Sequence, residues 1–454
     1  MNLSLQTIAQ ATKGSLHGPA EQTVTGVAFD SRQVKAGDLF VALVGDQDGH
    51  DYIDQALKNG ATGVLAQTQH VIDGAVPAVV VDDTLAGLQE LAKFYLQTIQ
   101  PKVVAITGSN GKTTTKDMVA AILATKYQTF KTPANFNNEI GLPVTILTMP
   151  ATTEVLVLEM GMDRPGQLTA LSTLAQPDLA VITMIGEAHL EFFKTRANIA
   201  KAKLEIIAGL KPGGELLIPK DEPLLQDADG LPANTVSFGP EPKDCVETLQ
   251  ETKFSDQGQE FAIPLLGRYN VRNALAAIRV GQAFDLDLQT IASAFKNFAL
   301  TKNRTQLLTA ANGAMVISDA YNANPTATKE VLAALAKDHT ANLVLVLGDM
   351  LELGEAAPAL HAGLKEAVLQ AQPKAVYLVG PLMVENLGTV LKETLPSDQV
   401  HLYQTDQLEA LVTDLTKDLD SNDCVFLKAS HGIHLEKVVD HLVTDQGKQG
   451  GVHA

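Results

Sequence analysis

Val103 to Lys116 reads VVAITGSNGKTTTK, and this stretch decides the fold. The β-branched Val103, Val104, Ile106 and Thr107 favour a buried strand, Gly108 and Gly111 free the backbone of the loop that follows, and Thr113 to Thr115 open a helix. A strand that turns through glycines into a helix is a phosphate cradle. Successive N–H groups and the positive end of the helix face the anion, Lys112 reaches the terminal phosphates, and Thr113 offers a hydroxyl to magnesium. Gly108, Ser109, Asn110, Gly111, Lys112, Thr113 and Thr114 are therefore expected to hold ATP. The spacing is shorter than the general G-x-x-x-x-G-K-T pattern, because Ile106 stands where the first glycine belongs. An ordinary strand-turn-helix corner with a surface lysine is the competing reading, and it does not need so many small and hydroxyl residues together.

The rest of the chain has to supply what surrounds such a loop. At 454 residues it exceeds the usual size of one core, so two or three domains are expected. With 45% apolar residues these should be well-packed globular units. No apolar run reaches the length of a membrane span, and MNLSLQTIAQATKG has neither a basic leader nor a cleavable hydrophobic segment, so the cytosol is the expected compartment. Cys245 and Cys424 have no metal-type spacing and fit a reducing environment. A net charge of -18 opposes nucleic-acid or anionic-membrane binding, so small molecules are the expected partners, held by local cations.

The fold class expected is α/β in three domains: a small α/β unit over 1–100, a central phosphate-loop domain with a parallel sheet over 101–300, and a Rossmann-like domain over 301–454. In the first, VAFDSRQVKAGDLFVAL gives strand, turn and strand, with Ser31 and Arg32 between them. That pair can bind a diphosphate or carboxylate, although such pairs are more often solvated loops. In the second, TPANFNNEIG gathers Asn135, Asn137 and Asn138 in a polar turn, fit either for a polar substrate or simply for turning. EVLVLE reads as a parallel strand ending at Glu159, where a carboxylate can hold magnesium. His189, in the turn GEAH, reads first as a hydrogen-bonded structural histidine, and Lys201 and Lys203 read as exposed helix lysines. Asn270 and Asn273 open a helix from which an amide could read a purine edge, and the segment through Lys253 is polar and uninformative. The third domain brings Arg304, then a strand ending at Asp319, then the polar turn with Tyr321, Asn322 and Asn324 before Pro325. The absence of G-x-G-x-x-G argues against an NAD site.

Together GSNGKTTTK, DSRQVKAGDLFVAL, TPANFNNEIG, SDAYNANP and LGDMLELGE resemble the Mur ligases, ATP-dependent amide-forming enzymes of bacterial cell-wall synthesis, over essentially the whole chain. YNANP with LGDMLELGE looks like the member that adds D-alanyl-D-alanine to UDP-N-acetylmuramoyl-tripeptide. The resemblance implies that Lys112 and Glu159 serve phosphoryl transfer and that His189 helps bind a second magnesium. It further implies that Lys203 is carbamylated into a metal ligand beside Thr113, and that Asn273 faces the adenine. Arg304 and Asp319 would reach the nucleotide when the third domain closes. Ser31 and Arg32 fall on the UDP-sugar side, Asn138 toward the reacting centre, and Asn322 on the substrate; a monomer is expected.

Three positions depart from the family pattern: Met184 for asparagine, Tyr269 for histidine, and His431 for an arginine after Lys428 and Ser430. The last matters most, since neutral imidazole cannot reproduce a guanidinium fork on a carboxylate. The ligase for the third peptide residue and folyl-polyglutamate synthetase share the architecture but should lack YNANP with LGDMLELGE. A phosphate-loop regulator without ligase chemistry is the reading from another class.

Overall fold

The strand Lys102–Thr107 lies inside a six-stranded parallel sheet, between Val155–Glu159 and Leu179–Ile182, both of which follow it in the chain. The order runs Thr235–Phe238, Glu215–Pro219, Leu179–Ile182, Lys102–Thr107, Val155–Glu159, Thr129–Lys131. Because the first strand has later strands on both sides, the connections leave it in opposite directions and open a crevice at its C-terminal end. The computed structural model describes residues 1–68, 70, 76–296, 298, 301, 305–337 and 342–443.

Side chains alternate across this sheet as a strand's period of two requires. Val103, Ala105, Leu156 and Leu158 enter one core, while Val104, Ile106, Val155 and Val157 enter the other. The first core continues into an N-terminal five-stranded sheet through Leu39, Val41 and Leu65. The helix Thr84–Ile99 joins the two units, ending at Gln100 with φ +55, and Tyr95 Oη donates to Met149 O at 3.1 Å. The second core is capped by the helix Tyr269–Ala283 and by a three-stranded antiparallel sheet of Val246–Glu247, Thr252–Asp256 and Gln259–Ile263. That small sheet lies partly in the segment that reads as featureless in the sequence. Its hairpin turns through Gln257 and Gly258, both at positive φ, with Phe254 and Phe261 paired across it.

The third sheet has six strands in the order Gln306–Thr309, Met315–Asp319, Asp423–Lys428, Asn342–Gly348, Ala375–Val379, Val400–Tyr403, the first antiparallel and the rest parallel. Asp319 and Lys428 sit opposite each other at adjacent C-terminal strand ends. Among the described residues no helix is long and apolar enough to cross a membrane.

Candidate active site

The phosphate loop is held from both neighbouring strands. Thr107 Oγ1 donates to Met160 O at 2.8 Å, Ser109 N to Met184 O at 2.9 Å, and Thr183 Oγ1 to Asn110 O at 2.5 Å. Two glycines are required by geometry. A Cβ on Gly108 (φ +152) would lie 1.8 Å from Thr183 Oγ1, and one on Gly111 (φ +79) 2.1 Å from Asn273 Oδ1. Asn273 thus packs directly against the loop, its Nδ2 donating to Asn270 Oδ1 at 3.0 Å. Lys112 Nζ donates to Gly108 O at 2.9 Å, and Thr113 is buried at the start of the helix Lys112–Leu123.

Glu159 is 1% exposed at its strand end. Its Oε1 accepts from Asn137 Nδ2 at 2.8 Å, whereas Oε2 has no hydrogen-bond partner and faces Lys116 Nζ at 3.6 Å. Lys116 is itself wholly buried and lies 3.6 Å from Asp117, which Lys131 reaches at 2.7 Å. A buried carboxylate oxygen without a donor, next to the Thr113 hydroxyl's cavity, is a donor set suited to a hard divalent cation.

Lys203 corrects the sequence reading. The structure buries it to 2% exposure, while Lys201 on the same helix stays exposed. Ile199, Ala202, Lys203 and Ile206 form the buried face, so Lys203 occupies a core position of the helical period. No ion pair to it is found among the described residues, and burial, with the nearby Lys112 charge adding to it, holds its amine well below the ordinary lysine value. That periodicity was legible in the sequence; two lysines close together on a helix obscured it.

A cavity of 410 Å³ opens above the loop, lined from the central domain by Lys112, Thr113, Glu159, His189 and Asn273 and from the third by Asp319, Tyr321, Asn322 and Lys428. Lys428 Nζ donates to Asp319 Oδ2 and, at 3.0 Å, to Asn322 O. Across the cleft, Asn110 Nδ2 donates to Asn324 Oδ1 at 3.3 Å and Asn324 Nδ2 to Asn110 Oδ1 at 2.5 Å. Thr326 Oγ1 donates to Glu187 Oε2 at 2.7 Å, and His189 Nδ1 lies 2.6 Å from Glu352 Oε2. Glu330, also on the wall, has its carboxyl pushed up to about 7, chiefly by burial. Tyr269 lies 3.4 Å from Thr305 Oγ1, and burial pushes its phenol far up. His431 stacks on Tyr321 with ring centroids 5.8 Å apart.

The structure thus brings the loop, Glu159, His189, Asn273, Asp319, Asn138 and Asn322 to one cavity. Asn138 Oδ1 accepts from Gly141 N at 2.8 Å and so also fixes the start of a helix; Asn137, beside it, is the residue that holds Glu159. Ser31 and Arg32 do not line the cavity: Arg32 is exposed and forks onto Asp30 at 2.8 Å, beside Phe29, whose ring lies 6.3 Å from that of Phe136. Arg304 lies outside the described residues. Sequence reading missed Lys116, Thr326, Glu330 and Glu352, which gain meaning only from partners distant in the chain. A second cluster, Asp48, His50 and His70, has ligating atoms within 4.8 Å of one another. His50 Nε2 there accepts the Gln67 N–H at 2.9 Å, so Nδ1 carries the proton toward Asp48, and the cluster is a hydrogen-bonded stack rather than a metal cage.

With this geometry in view, residues 106–281 match the Mur ligase middle domain, 303–431 the Mur ligase glutamate ligase domain, and 23–96 the Mur ligase family catalytic domain. The chain is similar to UDP-N-acetylmuramoyl-tripeptide--D-alanyl-D-alanine ligase of Bacillus subtilis, with 40% identity over 97% of this chain and 98% of that one. Among solved structures it is similar to MurF from Acinetobacter baumannii, at TM-score 0.84 and 27% identity over 97% of this chain and 98% of that one. It is also similar to MurF ligase from Thermotoga maritima in complex with ADP, at TM-score 0.77 and 31% identity over 92% and 97%.

Proposed function

Because the chain belongs to the Mur ligase family, we propose that it joins D-alanyl-D-alanine to UDP-N-acetylmuramoyl-tripeptide with ATP, giving the pentapeptide precursor of peptidoglycan. The observation that carries this reading is that the two most specific segments, YNANP and LGDMLELGE, meet the phosphate loop and the GEAH turn through Asn324–Asn110 and Glu352–His189.

The tripeptide's terminal carboxylate attacks the γ-phosphorus of ATP, ADP leaves, and an acyl phosphate forms. The amine of D-alanyl-D-alanine then adds to the acyl carbon, loses a proton, and the tetrahedral intermediate collapses to the amide and phosphate. The chain's task is positioning and charge stabilisation. The N–H groups of the loop and Lys112 hold the β- and γ-phosphates, Asn273 faces the adenine, and Arg304 and Asp319 reach the nucleotide from the third domain. Ser31 and Arg32 take the UDP-sugar, while Asn138 and Asn322 orient the peptide end. Thr113, Glu159, His189 and Lys203 would hold magnesium, the orphan Oε2 of Glu159 being the feature that fits it best. Bound there, magnesium supplies neutralising charge to the transferring phosphoryl group.

Lys203 fits this role once converted. Burial holds its amine well below the ordinary lysine value and so favours the neutral form, which adds to carbon dioxide; the N–C bond forms, a proton leaves, and the product is an anionic carbamate with two oxygen donors. The domain bounds are taken as 1–100, 101–300 and 301–454, and the enzyme is proposed to work in the cytosol as a monomer. The test is phosphate release. It should require both UDP-N-acetylmuramoyl-tripeptide and D-alanyl-D-alanine, run with each form of the tripeptide; release indifferent to the acceptor would leave a nucleotide-binding regulator as the better reading.

A further inference from the structure

The loop Asp349–Glu352 is fastened more tightly than any step above requires. Asp349 accepts from Leu382 N at 3.2 Å and Met383 N at 2.6 Å, Met350 N donates to the buried His361 Nε2 at 3.0 Å, and Leu351 N donates to Ser430 Oγ at 2.9 Å. His361 Nδ1 is turned the other way, onto Ala357 O at 2.7 Å. Three successive residues, Asp349 to Leu351, are thus pinned into an arm. At its tip Glu352 has φ +62, a left-handed conformation uncommon for a glutamate. The tip meets its mirror on the other domain: His189, at φ +61, lies with Nδ1 2.6 Å from Glu352 Oε2. Glu191 N donates to Glu352 O at 2.9 Å beside it, and a Cβ on Gly354 would come within 3.1 Å of Glu191 Cα.

We propose that Glu352 is the positioning residue of His189, delivered by the C-terminal domain, so that the imidazole becomes an oriented ligand only when the domains are closed. The carboxylate lies within ion-pair distance of Nδ1 but off the line of a hydrogen bond, so it fixes the place of the ring by charge and contact. The pinned arm sets this contact apart from a surface ion pair between two freely moving side chains. The backbone bond from Glu191 explains how the domains stay in register when the side chain is altered. The inference rests on His189 being a metal ligand, as proposed above.

Manganese serves as the probe: its binding to the full chain with a non-hydrolysable ATP analogue is followed by electron paramagnetic resonance. His189→Ala sets the reference and should weaken the affected ion. If it does not, the reading of His189 as a ligand fails, and the role of Glu352 with it. Where His189→Ala does weaken binding, Glu352→Ala should weaken the same ion by at least about tenfold, Glu352→Gln by less because it keeps the side chain's bulk against the ring while losing its charge, and the double variant no more than His189→Ala alone. Unchanged manganese binding in Glu352→Ala, or losses that simply add in the double variant, would overturn the positioning role and leave Glu352 as a contact between domains. Since Glu352 is half-exposed, both variants should fold; an unchanged melting profile checks this.

Discussion

Lys116→Met isolates the charge arrangement beneath the site. Lys116 and Glu159 are both buried, 3.6 Å apart, and Asp117 lies at the same 3.6 Å from the ammonium. At that separation and an effective dielectric near 20, each pair is worth about 5 kcal/mol of Coulomb energy before desolvation is subtracted. Asp117 would survive the loss of Lys116, because Lys131 pairs with it at 2.7 Å and Thr301 donates to it from both N and Oγ1. Glu159 would not, since among the described residues Asn137 is the one side-chain donor to its carboxylate.

Removing the cation should therefore leave one uncompensated buried carboxylate and cost about 3–5 kcal/mol. For a cooperative unit of about 200 residues this lowers the melting temperature by about 6–20 °C. Differential scanning calorimetry near pH 7 reads it, on the transition that ADP raises, which identifies the central unit in a multi-domain chain. The discriminating sample is Lys116→Met combined with Glu159→Gln. With the orphaned charge also removed, stability should return to within about 1–2 kcal/mol of wild type. A single variant melting within about 2 °C of wild type, or a double variant no better than the single, would refute the argument that Lys116 exists to compensate Glu159.

Lys112→Ala should lower turnover about a hundredfold or more, roughly 3 kcal/mol, in the phosphate-release assay; near-normal turnover would exclude a role in stabilising transferring charge. Lys203→Ala should be inactive and partly restored by added short carboxylic acids, which replace the carbamate oxygens; wild-type activity without them would remove the carbamate. Gly111→Ala forces a side chain to φ +79 and to within 2.1 Å of Asn273, so ADP affinity by titration calorimetry should fall at least about tenfold, about 1.4 kcal/mol; unchanged affinity would mean that the loop relaxes freely. Glu330 titrates at about 7 in the folded state, above its unfolded value, so the folded state binds the extra proton: wild type loses stability as pH rises through the window between the two. Glu330→Gln should then match wild type at pH 4 and melt higher at pH 8, and an equal offset at both would refute the shift.

How far the sequence reached depended on the range of the interaction. The phosphate loop is local: strand, glycines and helix start are neighbours in the chain, so VVAITGSNGKTTTK predicts their geometry directly, and the strand ends at Glu159 and Asp319 follow from apolar runs that stop at a carboxylate. Lys203 required the helical period to be weighed above residue type. The hairpin Thr252–Ile263 carried a readable signal in DQGQ flanked by alternating residues, but its polar outer face dominated the reading. Asn110 and Asn324 are 214 positions apart, and neither looks unusual alone. No local pattern distinguishes an asparagine that turns a chain from one that ties two domains together.

The strength of those ties bears on how the site works. Between the central and third domains the structure offers two amide bonds of Asn110 with Asn324, one of Thr326 with Glu187, the backbone bond of Glu191 to Glu352, the Tyr269–Thr305 and Lys337–Glu247 bonds, two from Thr301 to Asp117, and the His189 contact. At about 0.5–1.5 kcal/mol net for each hydrogen bond, they total about 4–12 kcal/mol. Fixing one domain against another costs free energy of similar size, so closure without ligands is marginal. The third domain, however, arrives with its own part already set, because Lys428 is held by Asp319 and Asn322 within that domain. A nucleotide that touches both Gly108–Thr113 and Asp319 adds contacts available only in the closed form, and differential contact of that kind is what shifts such an equilibrium. ATP binding and assembly of the His189–Glu352 pair then become one event. On the proposed reading the phosphate loop is consequently half a site, and the geometry for transfer requires both walls of the cavity.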